Sequence, residues 1–176
     1  MDLWAANERA FRKHIEEHHW DAIDPEVPLV GPGAAEVRIG SLILDLVAHN
    51  KAGGITLVEF KVKATKDTLA QLLLYPRAFR RALEAAGCPK MPDLRVVLVS
   101  PFIDRGVVEL IETLRPPYPV QIRLCVPDGD HRVKLVSPNT PDIPLAHCWE
   151  QSQGANQVGW DGGLLIRGRR LLPPSP

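Results

Sequence analysis

Apolar positions near the start of the chain recur at steps of three and four. In WAANERAFRKHIEEHHW, Trp4, Phe11, Ile15 and then His18 or His19 make the stripe of an amphipathic helix. At about 100° per residue Glu8 falls inside that stripe, while Glu17 points the opposite way and Glu16 lies to the side. An unpaired carboxylate on a buried face is costly, so Glu8 requires a partner. After Asp24 and Pro25 the period drops to two. EVPLV, VRIGSLILDLVAH and ITLVEFKVK read as three strands joined by turns at GPGAA and NKAGG, which predicts an antiparallel meander. In the third strand Leu57, Glu59, Lys61 and Lys63 share one face, and Val58, Phe60 and Val62 the other.

From Thr65 the pattern is helical again. Thr65 or Asp67 can serve as N-cap, Leu69, Leu72, Leu73, Phe79 and Leu83 form the apolar side, and Gly87 ends the segment. Pro76 is predicted to kink this helix, because proline removes an intrahelical hydrogen bond and crowds the preceding turn. LRVVLVS, DRGVVELIETL and VQIRLCV then read as a parallel strand, helix, strand unit. HRVKLVS reads as one more strand, QSQGANQ as loop, and GLLIRGRRLLPPSP as a late strand with a proline-rich tail. No internal repeat is evident. The expectation is an α/β fold: a central mixed sheet, antiparallel meander plus parallel strands, flanked by helices. Residues 1–126 would form its core and 127–176 a C-terminal extension of the same domain.

A chain of 176 residues can bury a full core without disulfides or structural metal, and 45% hydrophobic with 24% charged residues is the profile of an ordinary globular protein. Twenty-one basic and 21 acidic residues cancel, so bulk charge gives no support to nucleic-acid binding, which would need a locally basic surface. Cys88, Cys125 and Cys148 are scattered, without a C-x-x-C pair. With no signal-peptide pattern they read as reduced thiols, and the expected location is the cytoplasm. No apolar run approaches the roughly 20 residues that span a bilayer, so no membrane partner is expected.

Candidate chemistry sits on the hairpin DLVAHNKAGGITLVEFKVK, with Asp45 on its first arm and Glu59 and Lys61 on its second. Phosphodiester hydrolysis needs a hydroxide near neutral pH and stabilisation of charge on phosphorus, and a hard divalent cation held by carboxylates supplies both. Asp45 and Glu59 can offer two oxygens and the Phe60 carbonyl a third. Lys61, on the face of Glu59, could orient or deprotonate the attacking water or neutralise developing charge. The bland alternative is strong: an isolated E-x-K on a strand is ordinarily a solvated face. Gln71 and Tyr75 project from one helical face and can together hold a water, a phosphate oxygen or the carboxylates; otherwise Tyr75 is a core aromatic and Gln71 a solvated residue.

Taken in order, these residues resemble the PD-(D/E)xK nuclease superfamily over roughly residues 4 to 126. The motif residues are Asp45 after the LIL run, the E-F-K of Glu59 and Lys61, and the Q-x-x-x-Y of Gln71 and Tyr75, with Glu8 matching the first-helix acid. The last motif is that of the RecB-like branch and related endonucleases acting on single-stranded, branched or mismatched DNA. The resemblance implies a restriction-endonuclease-like core and a metal-dependent DNA nuclease. It implies one or two Mg2+ (or Mn2+) ions on Glu8, Asp45, Glu59 and the Phe60 carbonyl, with Asp45, Glu59, Lys61, Gln71 and Tyr75 catalytic. Leu44 stands where many members have proline, and Pro76 directly after Tyr75 is a further departure. Lys63, Lys66, Arg77, Arg80 and Arg81 form a basic cluster to contact phosphates, or else a solvated helix face. Arg167, Arg169 and Arg170 make a second cluster. His14, His18 and His19 read as a helix face rather than a transition-metal site. A second reading is a binding or assembly module that keeps the fold while its chemistry is weak or lost, in line with the zero net charge. RNA as substrate and a homodimer stay open.

Overall fold

The computed structural model describes residues 7–128 and 132–138, together with the backbone of strands at 158–160, 164–166 and 169–170. Trp4, Cys148, Arg167 and the QSQGANQ segment lie outside the described residues. Helix α1 (Glu8–His18) starts where Asn7 caps it, the Asn7 side chain accepting from the Ala10 amide at 3.0 Å, and buries Phe11 and Ile15. A short helix α2 (Trp20–Ile23) follows and buries Ile23.

The predicted meander is present as β1 (Leu29–Ile39), β2 (Leu42–Asn50) and β3 (Ile55–Phe60), all antiparallel. Its first turn is not where the sequence placed it. GPGAA lies inside β1, as a shift of register between Val30 and Ala34. Gly31 takes φ +63 there, and a Cβ on Gly33 would stand 2.5 Å from Leu46 Cδ1 and 2.9 Å from the Val47 carbonyl oxygen, so the glycines form a bulge pressed against β2. The chain reverses instead at Gly40 and Ser41, which close on the pair Ile39↔Leu42, with Gly40 at φ +59 in the first central position of a two-residue hairpin. At the second turn Asn50 accepts from the Ala52 and Gly54 amides and donates to Thr56 Oγ1 at 3.1 Å.

The run ITLVEFKVK also divides. Strand β3 ends at Phe60, and Lys63–Ala64 forms a separate strand β4. Helix α3 (Lys66–Ala85) begins at N-cap Thr65, and Gly87, at φ +76, follows its C-cap. Next come β5 (Leu94–Ser100), β6 (Phe102–Ile103) paired with β4, α4 (Arg105–Leu114), β7 (Val120–Pro127) and β8 (Val133–Val136). The main sheet runs β1-β2-β3-β5-β7-β8, parallel through β3, β5 and β7 and antiparallel at either side. The fold is thus the expected mixed α/β arrangement. Strands β9 (Val158–Trp160), β10 (Leu164–Ile166) and β11 (Arg169–Arg170) pair as a second, antiparallel sheet, so the tail carries a hairpin where one late strand was expected.

Helices cover both faces. On one, Phe11, Ile15 and Ile23 pack on Leu46, Val58, Phe60, Val97 and Val99. On the other, α3 and α4 bring Leu69, Leu72, Val107 and Ile111 against Val96, Leu98 and Leu124, while Tyr75 and Phe79 meet Leu44 and Leu57. This double covering explains the near-continuous apolar sequence of β5. Helix α3 stays a single element through Pro76. Proline leaves the Leu72 carbonyl without its amide donor, and the Tyr118 hydroxyl, 3.1 Å from the carbonyl oxygens of both Leu72 and Leu73, supplies the replacement. Among the described residues no helix is long and apolar enough to cross a membrane.

Candidate active site

The site forms where β2 and β3 part. Their ladder runs from His49↔Ile55 to Leu46↔Val58 and stops. Beyond it the Phe60 amide donates to Asp45 Oδ2 at 2.8 Å, a side chain standing in for the missing main-chain partner. The alternation of β2 breaks at the same point, since Leu46 packs on the α1 side of the sheet and Leu44 on the α3 side.

Glu59, the last but one residue of β3, is 3% exposed. Its Oε1 lies 2.8 Å from Lys61 Nζ, and the same ammonium donates to Glu8 Oε1 at 2.9 Å. Glu8 is held there because Phe11, one turn further along α1, packs edge-on against Phe60 with ring centroids 6.3 Å apart. The reading of Glu8 as a buried stripe residue is corrected: it occupies the first turn of α1, with its side chain 45% exposed, and Lys61 is its partner. Elements α1, β2 and β3, with the residue that follows β3, therefore bring Glu8, Asp45, Glu59 and Lys61 together. Glu8 and Glu59 share the Lys61 ammonium, while Asp45, close enough to Glu59 for its charge to be felt there, is bonded to the Phe60 amide. Among the described residues no group of three or more His, Cys, Asp or Glu side chains is arranged to hold a metal ion. The cause is local: Lys61 is shared by Glu8 and Glu59, and Asp45 spends one oxygen on the Phe60 amide.

Electrostatics at the site are strained. Burial, and next the negative charge of Asp45, push Glu59 up to about 7 despite its bond to Lys61. Burial also raises Asp45, against the Phe60 amide and the Lys61 charge, which favour its ionised form. Burial pulls Lys61 down, but Glu59 and Glu8 outweigh it and hold the amine above its ordinary range. In this arrangement the Lys61 ammonium is shared between the two carboxylates. Glu59 Oε2 is buried with no hydrogen-bond partner, an acceptor that a cation would satisfy. A hard, oxygen-seeking divalent ion fits this donor set.

From α3, Gln71 Nε2 donates to the Tyr75 hydroxyl at 3.0 Å, which leaves the Tyr75 proton free to be donated in turn. Pro76 does not turn Tyr75 away. Tyr75, Leu72, Leu44 and Glu59 border a void of about 10 Å³, at the threshold for one water. Burial, then the Glu59 charge, raise the Tyr75 phenol above its ordinary value. Lys63, Lys66, Arg77, Arg80 and Arg81 are all exposed. Lys66 opens α3 and Arg77 lies about 16 Å along the helix axis from it, so they form two groups rather than one flank.

Three residues near the site escaped the sequence reading. Arg12 Nη2 donates to Glu36 Oε1 at 3.1 Å, and Arg12 Nε lies 3.3 Å from Glu16 Oε1. Arg12 stands four residues after Glu8 and was findable on that ground. Glu36 was not, because its place depends on the bulged path of β1, where it takes φ 53. Arg38 lines the same cleft as Arg12, Glu36 and Asp45 and carried no sequence signal.

No protein-family model matches the chain. No curated protein matches it either. Solved structures do. A crystal structure of a repair endonuclease from Pyrococcus abyssi superposes with a TM-score of 0.51 at 21% identity, covering 70% of this chain and 48% of that one. The chain shares its fold with that endonuclease. A structure of an EndoMS-dsDNA2 complex superposes with a TM-score of 0.45 at 22% identity, covering 62% of this chain and 42% of that one. The chain thus spans less than half the length of either structure.

Proposed function

We propose that this chain is a metal-dependent nuclease of the PD-(D/E)xK type that hydrolyses phosphodiester bonds in DNA. The observation that carries the reading is the meeting of Glu8, Asp45, Glu59 and Lys61 at the end of β3, with Lys61 Nζ 2.8 Å from Glu59 and 2.9 Å from Glu8. The endonuclease fold supports it. In this reading Asp45, Glu59 and the Phe60 carbonyl hold Mg2+ or Mn2+, with Glu8 completing the set. Such a cation supplies Lewis acidity at the phosphoryl oxygens and makes a water acidic enough to attack near neutral pH. Lys61 donates from its ammonium to the charge that develops on phosphorus. Tyr75, oriented by Gln71, donates a hydrogen bond beside Glu59, and Lys63, Lys66, Arg77, Arg80 and Arg81 meet neighbouring phosphates. Glu59 must be ionised to hold the ion, so at a fixed, sub-saturating concentration the cation should bind more tightly as pH rises through about 7.

The test is direct. Purified protein is incubated with single-stranded, branched and mismatched DNA in Mg2+ or Mn2+; cutting is expected in both and none in EDTA. Lys61→Ala should cut at least a hundredfold more slowly with an unchanged circular dichroism spectrum, and wild-type rates in that variant would refute the assignment.

One observation favours a second reading, a binding or assembly module: Lys61 already neutralises Glu8 and Glu59 without an ion. Calorimetric titration with Mn2+ separates the two. Saturable heat supports the nuclease, and its absence supports the module.

A further inference from the structure

We infer that the cleft between α1 and the outer strands β1 and β2 seats the backbone phosphates next to the bond that is cut, with Arg9, Arg12 and Arg38 as the phosphate-binding groups. The inference rests on the nuclease reading and adds to it the side from which DNA arrives. Access to the carboxylates is unequal on the two faces of the sheet. On the α3 side, Tyr75 and Leu72 close over Glu59 and leave a void of about 10 Å³. On the α1 side a cleft of about 370 Å³ ends on Asp45 and Phe60. Among the described residues the cleft gives a polymer a route to Glu8 and Asp45, whereas the void beside Glu59 has no room for one.

The cleft is furnished for anions. Arg9 and Arg38 are exposed, and among the described residues neither makes an ion pair or a side-chain hydrogen bond. Glu8, Glu36 and Asp45 line the same cleft, but none of them is paired with Arg9 or Arg38, so both guanidinium forks are open to a phosphate. Arg12 is set differently. Its side chain is 13% exposed, and Nη2 is held by Glu36, whose side chain is 56% exposed. Glu36 sits on left-handed backbone at φ 53, a conformation that non-glycine residues adopt at a cost. Its carboxylate occupies the position on the guanidinium fork that a phosphate oxygen takes in a complex, and because it is exposed it can swing away into water. Glu36 is thus an internal stand-in for the ligand, displaced when a strand is seated.

Binding of a short, labelled single-stranded oligonucleotide, followed by fluorescence anisotropy in Ca2+ over a range of KCl concentrations, tests this without a reading of activity. Arg9→Ala/Arg38→Ala should lower the slope of log Kd against log salt by about 1.4, about 0.7 for each phosphate of a single strand that is no longer neutralised. Its Kd should rise about tenfold at low salt. Glu36→Gln, which removes the carboxylate from Arg12 Nη2 and leaves Glu16 on Nε, should tighten binding several-fold. Arg80→Ala/Arg81→Ala removes the same charge far along α3 and should weaken binding less. An Arg9/Arg38 variant with the wild-type slope and a Kd within twofold, or an equal loss in both arginine pairs, overturns the cleft while a wild-type protein that binds and cuts keeps the nuclease reading. A wild-type protein that neither binds nor cuts DNA overturns both.

Discussion

Glu59→Gln probes the strain at the centre of the site. Glu59 has an ordinary carboxyl value of 4.5 and is pushed up to about 7 in the fold, first by burial and then by Asp45. Between those values the folded chain keeps a proton that the unfolded chain has released. Stability from this group therefore falls as pH rises through the window, and the deficit is complete above about 7. A shift of this size corresponds to about 3 kcal/mol, a large part of a typical domain's 5–15 kcal/mol. Glutamine keeps the shape and removes the titration. The stability of Glu59→Gln minus that of wild type should accordingly climb by about 3 kcal/mol between pH 4 and pH 8. Other groups share the window. Burial, followed by neighbouring imidazoles, lowers His14 and His19 below 6.5, so they contribute the opposite slope, stability gained as pH rises. They are present in both proteins, and their contribution cancels in the difference. Lys61, held above its ordinary range, does not titrate here. Urea denaturation in EDTA, followed by tryptophan fluorescence, measures the difference at each pH. A difference that is flat, or that shrinks as pH rises, would refute the reasoning. Saturating Mn2+ at pH 8 should restore wild type and leave the variant nearly unchanged, because only the ionised carboxylate offers the ion its oxygen.

Tyr118→Phe should cost about 1–3 kcal/mol in urea denaturation, since the Leu72 carbonyl loses its donor. Pro76→Ala restores an amide at that carbonyl, so the double variant should lose less than Tyr118→Phe alone, and strict additivity would sink the link. Gln71→Ala and Tyr75→Phe should each lower kcat about tenfold, the value of one hydrogen bond. Because both act through the Gln71–Tyr75 bond, steady-state kinetics of the double variant should show little further loss.

How much of this was legible depends on range along the chain. The period of two placed Glu59 and Lys61 on one face, and they do form an ion pair although β3 ends at Phe60, because two residues of separation keep them within reach even as the strand stops. Gln71 and Tyr75, one helical turn apart, likewise meet. GPGAA was misread because glycine at positive φ serves a turn and a bulge equally; only the proximity of Gly33 to Leu46 decides between them. Glu8 was placed inward by a stripe that included Trp4, which lies outside the described residues; in the structure Glu8 is the first residue of α1 after its cap Asn7, with its side chain half exposed beside Lys61. The replacement donor at Pro76 comes from Tyr118, 46 residues beyond Leu72, a distance at which no local rule operates.

The site lies where regular pairing is interrupted, and the interruption accounts for its chemistry. Strand β3 has an antiparallel neighbour in β2 and a parallel one in β5, and the ladder with β2 ends before the ladder with β5 does. Over that stretch the Phe60 amide needs an acceptor, and only a side chain can provide it. Asp45 does so and is thereby drawn into the sheet beside Glu59. Two carboxylates in a half-dry place repel each other and resist ionisation, which is why Glu59 rises to about 7. In the proposed reading the unfavourable burial and the binding of an ion go together: an ionised, under-solvated Glu59 with an unpartnered Oε2 would gain more from a divalent cation than an exposed acid would. Lys61 neutralises the pair only partly, since its one ammonium is divided between Glu59 and Glu8. A sheet that continued its ladder past Leu46 would satisfy the Phe60 amide from the main chain and would not need Asp45 beside Glu59.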